Sequence, residues 1–222
     1  MNDRHICGPL RGLYAVTPDH LPTETLFERV DQAIAGGAML VQYRDKRTDA
    51  RIDERRRAVI ARTLLERCRS RGVRLLINDD LALALAIGAD GVHLGADDGD
   101  LCAARQALPA GAVLGASCYA DFARARAAAA AGADYLAFGA VYPSAIKPDA
   151  PQAPLSLFTR CRQELRVASC AIGGLTADNA APVLRAGANL LAVISDLFDA
   201  SDVAARAAAY LPLFEENRHD FA

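Results

Sequence analysis

A (β/α)8 TIM barrel is predicted by two features of this 222-residue chain: a Gly-bearing phrase that recurs four times, and eight apolar runs that alternate with helix-suited stretches. The phrase is Ala35-Gly36-Gly37-Ala38, Ala86-Ile87-Gly88-Ala89, Ala131-Gly132-Ala133 and Ala186-Gly187-Ala188. Glycine takes a left-handed backbone just past a helix end without steric cost, so each copy marks a helix stopping and a strand beginning. The runs that follow lack strict apolar/polar alternation and are too short for helices. Strands apolar on both faces belong to parallel sheets covered by helices.

In order along the chain, strands are expected at 13–17, 39–41, 75–78, 91–94, 112–115, 135–138, 166–172 and 190–194. Helices are expected at 24–35, 50–70, 81–87, 100–108, 121–131, 155–164, 178–186 and 203–210. The first, third, fifth and seventh helices end on the Gly phrase, and Asp80 is expected to cap the third. The second carries eight arginines between Arg51 and Arg71, while Ile52, Val59, Ile60, Leu64 and Cys68 recur near a helical period. That pattern makes the arginines a solvated outer face, with no aromatics interleaved for stacking on nucleic acid.

Alternating strands and helices imply a parallel sheet, and eight units imply closure. An open doubly wound sheet is the other architecture that strand count alone allows. The glycine intervals of 51, 44 and 55, by subtraction between Gly37, Gly88, Gly132 and Gly187, are too uneven for a solenoid. With 52% hydrophobic content and no linker-like break, one domain over 1–222 is the expected organisation. A polar N-terminus and the lack of a long apolar run predict no signal peptide and no membrane helix, hence a cytoplasmic protein. The six cysteines are scattered without Cys-x-x-Cys spacing, which argues against zinc and against a disulfide framework. A net charge of -2 gives no pull toward nucleic acid or an acidic membrane. Homo-oligomerisation is left open.

The active site of such a barrel lies at the C-terminal ends of the strands. Those ends are polar: Gln42-Tyr43-Arg44-Asp45-Lys46, Asn78-Asp79-Asp80, His93 with Asp97-Asp98, Ser117, the segment Tyr142 to Lys147, Gly173-Gly174, and Ser195-Asp196. Strand alternation sends Gln42, Arg44 and Lys46 to one side. An ion-paired strand exit is one reading of that segment. Lys147 adds a third cation, and together they suit a multiply charged anion such as a diphosphate. Asp79 and Asp98 suit a shared Mg2+ that takes its other ligands from water and phosphate oxygens; loop carboxylates near a helix start are the plainer alternative for Asp97 and Asp98. Gly174 and Ser195 occupy the usual phosphate cradle of these barrels, and a tight turn is the plainer reading of Gly-Gly. His93 is assigned to the core.

These residues resemble the thiamine phosphate synthase family, also called thiamine-phosphate pyrophosphorylase, from Leu13 to Ser195. Gln42-Tyr43-Arg44-Asp45-Lys46 matches its Gln-x-Arg-x-Lys signature and Ile77-Asn78-Asp79-Asp80 its Asn-Asp-Asp segment. Gly91-Val92-His93-Leu94-Gly95 with Asp98, Gly115-Ala116-Ser117, Gly139 to Ser144 with Lys147, and Ala171-Ile172-Gly173-Gly174 follow in order. The resemblance implies coupling of 4-amino-2-methyl-5-(diphosphooxymethyl)pyrimidine to a thiazole phosphate, releasing diphosphate, with Mg2+ as cofactor and these small molecules as partners. It assigns Gln42, Arg44, Lys46, Asn78, Ser117 and Lys147 to the pyrimidine diphosphate, with Arg44, Lys46 and Lys147 catalytic. Asp79 and Asp98 fall to the metal, and Ser144, Ala145, Ile146, Gly174, Ile194 and Ser195 to the thiazole phosphate.

The chain departs from the family pattern at Ile146, where a hydroxyl residue is usual. One charged hydrogen bond fewer is worth on the order of 1.5–3 kcal/mol unless backbone groups or water replace it. Two rival functions use the same barrel. A thiazole tautomerase-like isomerase needs no diphosphate machinery and is expected to carry His where this chain has Tyr119. A non-catalytic phosphate-binding barrel is supported only by Ile146.

Overall fold

The computed structural model describes residues 10–46, 54–143 and 152–217. Eight strands, β1 Gly12–Val16, β2 Ala38–Tyr43, β3 Arg74–Asn78, β4 Gly91–Leu94, β5 Val113–Tyr119, β6 Tyr135–Phe138, β7 Ala168–Ile172 and β8 Leu190–Val193, close into a barrel in sequence order. Each is parallel to both neighbours, and β1 pairs with β8, so the open sheet is excluded. Helices α1 Thr23–Ala35, α2 Glu54–Ser70, α3 Leu81–Ile87, α4 Leu101–Ala107, α5 Phe122–Ala130, α6 Ser156–Arg160, α7 Ala181–Arg185, α8 Ser195–Phe198, α9 Val203–Ala208 and α10 Leu211–Glu216 cover the outside.

Period-two alternation divides the strand residues between two cores. Tyr14, Leu40, Leu76, Val113, Tyr135 and Cys170 fill the barrel interior, while Leu13, Val41, Ile77, Leu114 and Leu136 pack outward against helix residues such as Val30, Leu64 and Phe158. Tyr135 fits inside because its neighbour on β5 is Gly115, where a Cβ would stand 2.1 Å from the phenol ring.

The expected left-handed glycines are present at Gly37, Gly88, Gly132 and Gly187. In three of the four copies the phrase extends to Gly-Ala-Asp/Asn, and that last side chain is a clamp. Asp90 accepts the Leu75 N–H at 2.9 Å while its own N–H donates to the Leu75 carbonyl at 3.0 Å. Asp134 makes the same reciprocal pair with Leu114, and Asn189 with Ser169. Each joins the start of an even strand to the preceding odd strand at the barrel's N-terminal face.

Several element boundaries differ from expectation. The seventh helix begins at Ala181, not 178, because the Asn179 side chain accepts the Thr176 N–H and donates to the Gly174 carbonyl, holding that stretch as a turn. The sixth helix passes into a π-helical turn, Cys161–Leu165, that ends on left-handed Arg166, so β7 starts two residues later than predicted. β5 runs on to Tyr119, which puts Ser117 within the strand. Helices α8 and α10 were not anticipated. On α2, Ile60, Leu64 and Cys68 are buried as expected, but Val59 is 59% exposed. No helix among the described residues is long and apolar enough to cross a membrane.

Candidate functional site

At the C-terminal face, the exit of β2 is anchored to the exit of β1. The Arg44 N–H donates to the Thr17 hydroxyl at 2.9 Å, and that hydroxyl donates to the Arg44 carbonyl at 3.1 Å. Asp19 then pairs with the Arg44 guanidinium and accepts the Lys46 N–H at 3.0 Å. Asp19, which strand-end reading from β2 onward passed over, therefore holds the Arg44 guanidinium and the Lys46 backbone. Its only sequence signal is its place after Thr17-Pro18 at the end of β1.

Lys46 reaches Asp79, its Nζ 2.9 Å from Oδ2. The Asn78 side chain donates to the same carboxylate oxygen at 2.6 Å. Asp79 sits at φ 62°, a left-handed conformation uncommon outside glycine, which turns the chain at the end of β3. Asp98, beyond β4, lies within hydrogen-bonding reach of Asp79 and accepts the Gly95 N–H at 2.8 Å. Burial, and then contact with Asp79, raises the Asp98 carboxyl above the usual carboxylate range. Gly95 keeps this contact open, since a Cβ there would stand 2.5 Å from Asp98 Oδ2.

Two carboxylates in contact, with one ammonium against them, fit a hard divalent cation with oxygen ligands. Among the described residues no third His, Cys, Asp or Glu completes a cluster, so a cation held there would fill its shell from water and ligand oxygens. Asp80, by contrast, caps α3 as expected, accepting the Leu83 N–H at 2.8 Å. Asp100, not Asp97 or Asp98, caps α4.

Inside the barrel below this cluster, a chain of hydrogen bonds joins Gln42 to Ser117. Gln42 Nε2 donates to Tyr14 Oη at 2.5 Å, Tyr14 Oη lies 2.9 Å from Tyr135 Oη, and Tyr135 Oη lies 2.7 Å from His93 Nδ1. His93 Nε2 lies 2.8 Å from Ser117 Oγ. Burial pushes the His93 imidazole down to about 4 and both phenols well above their ordinary range. His93 is thus a neutral interior residue, as expected. Tyr14 and Tyr135 were missed because a tyrosine in an apolar run counts as bulk.

At β7 and β8, Gly173 and Gly174 have φ of 99° and 63°, and a Cβ on Gly174 would meet the Pro143 carbonyl at 2.4 Å. Neighbouring β8 ends at Val193, and Ile194 leads into Ser195, which opens the four-residue α8. The next residue, Asp196, is taken by Arg206 and by the Tyr210 hydroxyl, which fixes α8 against α9. The expected site residues Ser144, Ala145, Ile146 and Lys147 lie outside the described residues, as does most of the 142–154 loop.

A family described as thiamine monophosphate synthase matches residues 13–197. The chain is 57% identical to a thiamine-phosphate synthase of Aromatoleum aromaticum over 93% of its length and 97% of the relative's. It is 53% identical to one of Azoarcus sp. over 92% of its length and 98% of the relative's. Among solved structures it is similar to a thiamine phosphate pyrophosphorylase from Pyrococcus furiosus, at 32% identity and a TM-score of 0.83, covering 95% of this chain and 98% of that one.

Proposed function

The chain belongs to the thiamine monophosphate synthase family and is an enzyme of thiamine phosphate synthesis; we propose that it couples 4-amino-2-methyl-5-(diphosphooxymethyl)pyrimidine to a thiazole phosphate, releasing diphosphate, with Mg2+. The observation that carries this reading is the meeting of Lys46, Asn78, Asp79 and Asp98 at the ends of three adjacent strands, beside Arg44. Asp79 and Asp98 would hold the ion, whose chemistry is to offset charge on phosphate oxygens.

The remaining work falls to the chain's own groups. Arg44 and Lys46, held in place by Thr17 and Asp19, face the departing diphosphate with Lys147. Cations fixed beforehand stabilise charge that grows on a leaving group more in the transition state than in the ground state. Gln42, Asn78 and Ser117 orient the pyrimidine substrate; Ser144, Ala145, Ile146, Gly174, Ile194 and Ser195 receive the thiazole phosphate. No protein base is required for a bond made by departure of diphosphate and attack of the thiazole nitrogen. His93 is unsuited to that role, since both its ring nitrogens are engaged inside the barrel. A cytoplasmic location accords with buried free thiols at Cys68, Cys118, Cys161 and Cys170.

The test is to mix both substrates with Mg2+ and follow diphosphate together with thiamine monophosphate. Stoichiometric appearance of both is expected. Folded protein that yields neither, or that only isomerises the thiazole phosphate, would overturn the reading.

A further inference from the structure

We propose that Tyr14, Tyr135 and His93 are positioning residues, which fix Ser117 as a hydrogen-bond donor and the Gln42 amide oxygen as an acceptor toward the pyrimidine substrate. The inference rests on the reaction proposed above. Neither phenol can touch a ligand at the barrel mouth: Tyr14 is 1% and Tyr135 0% exposed. They act through the two ends of the chain they form.

Its direction follows from counting protons. Gln42 Nε2 gives one of its hydrogens to Tyr14 Oη. The Tyr14 proton is buried, and an unpaired buried hydroxyl is costly, so it goes to the remaining neighbour, Tyr135 Oη. Tyr135 in turn has one proton, which must pass to His93 Nδ1. A neutral imidazole carries one N–H and one bare nitrogen, so acceptance at Nδ1 leaves the hydrogen on Nε2. That hydrogen goes to Ser117 Oγ, and the serine's own proton is left to point out of the chain. Each link determines the next, and none reverses alone.

Ring packing keeps the links in register. His93 stacks on Tyr135 at 5.5 Å between centroids with 18° between planes, and Tyr14 meets Tyr135 edge-on at 5.8 Å. The outcome suits an anionic substrate. Phosphate oxygens only accept hydrogen bonds, so a serine held as donor attracts them, whereas the reverse chain would turn its lone pair toward them. At the other end, Gln42 keeps its carbonyl oxygen for a donor such as an amino group on the heterocycle.

The hydrogen placement is an assignment that nitrogen-15 NMR reads directly. In substrate-free wild-type protein, the His93 ring is expected to show a protonated Nε2 and a bare Nδ1. In Tyr135→Phe the single tautomer is expected to give way to a mixture. KM for the pyrimidine diphosphate should rise about tenfold, with KM for the thiazole phosphate unchanged, a loss of about 1.4 kcal/mol. Once Ser117→Ala is in place, adding Tyr135→Phe should cost markedly less than it does alone, because the two act as one unit. An Nδ1–H tautomer, no KM change, or equal losses for both substrates would each overturn the proposal. The wild-type measurement stands even if the variant fails to fold. An active enzyme with the Nδ1–H tautomer sinks the chain; no coupling by a protein with the Nε2–H tautomer sinks the assigned reaction.

Discussion

The two ends of the barrel both carry aspartates, and they use them in opposite ways. At the N-terminal face, Asp90 and Asp134 each accept a backbone N–H from the neighbouring strand, and Arg69 and Arg105 close on them from outside. At the C-terminal face, Asp79 and Asp98 meet each other, with Lys46 as the cation drawn to them. The first pair is satisfied by the fold, and its loss is a loss of stability. In the second pair two like charges are held together, an arrangement relieved by a cation or by a proton. At the N-terminal face each of these carboxylates is answered by a strand N–H and an arginine, whereas at the C-terminal face Asp79 faces a second acid.

The largest effect expected from this contrast is on the cations of the C-terminal face. Arg44→Ala should lower turnover by about 10²–10³-fold, the usual cost of removing one preplaced charge-stabilising donor, with little change in Tm. Lys147→Ala should behave alike. Arg56→Ala, on the exposed face of α2, is the control and should leave both rate and stability within error. Equal rate losses in all three would mean that the site is misplaced.

How far these roles were legible follows from where their partners sit. The barrel itself was readable because its signals are local: a glycine after each helix, a short apolar run after each glycine. The positions of Arg44, Lys46, Asp79 and Asp98 at the strand ends were readable for the same reason. Tyr14 finds Tyr135 across 121 residues, and no local pattern announces that pairing. Asp19 was missed because its importance lies in Arg44 and Lys46, on another strand. The late start of α7 turns on the Asn179 side chain engaging Gly174 and Thr176, a competition with helix that periodicity does not register. Val59 fits the apolar spacing of α2 yet is exposed, and nothing in the structure explains the choice of valine there.

A smaller effect is expected at the acid pair. Asp98→Asn keeps an oxygen for the Gly95 N–H but removes one charge, so half-maximal activity should need about 10–100-fold more Mg2+. Stability should move the other way. Because the folded protein raises the Asp98 carboxyl, its ionisation opposes folding, and without Mg2+ this group's contribution to stability should fall as pH rises through the carboxylate range. The Asn variant should lack that component of the loss. Thermal melts of both proteins without Mg2+ across that range provide the check, and a steeper loss in the variant would break the contrast.

The smallest effects belong to the clamp, and they separate its parts. Asp134→Ala leaves the Leu114 N–H without its acceptor, at a cost of about 1–2 kcal/mol. For a chain of this length that is roughly 2–8 °C in Tm, with turnover per folded molecule unchanged. Asp134→Asn should cost less, because Asn189 already performs the same task with an amide oxygen, accepting the Ser169 N–H at 2.9 Å. What the Asn variant still loses is the ion pair with Arg105, half-exposed and therefore worth well under about 1 kcal/mol. If the two variants melt together, the charge on Arg105 and not the backbone acceptor holds β5 to β6. The N-terminal face would then depend on carboxylate charge just as the C-terminal face does.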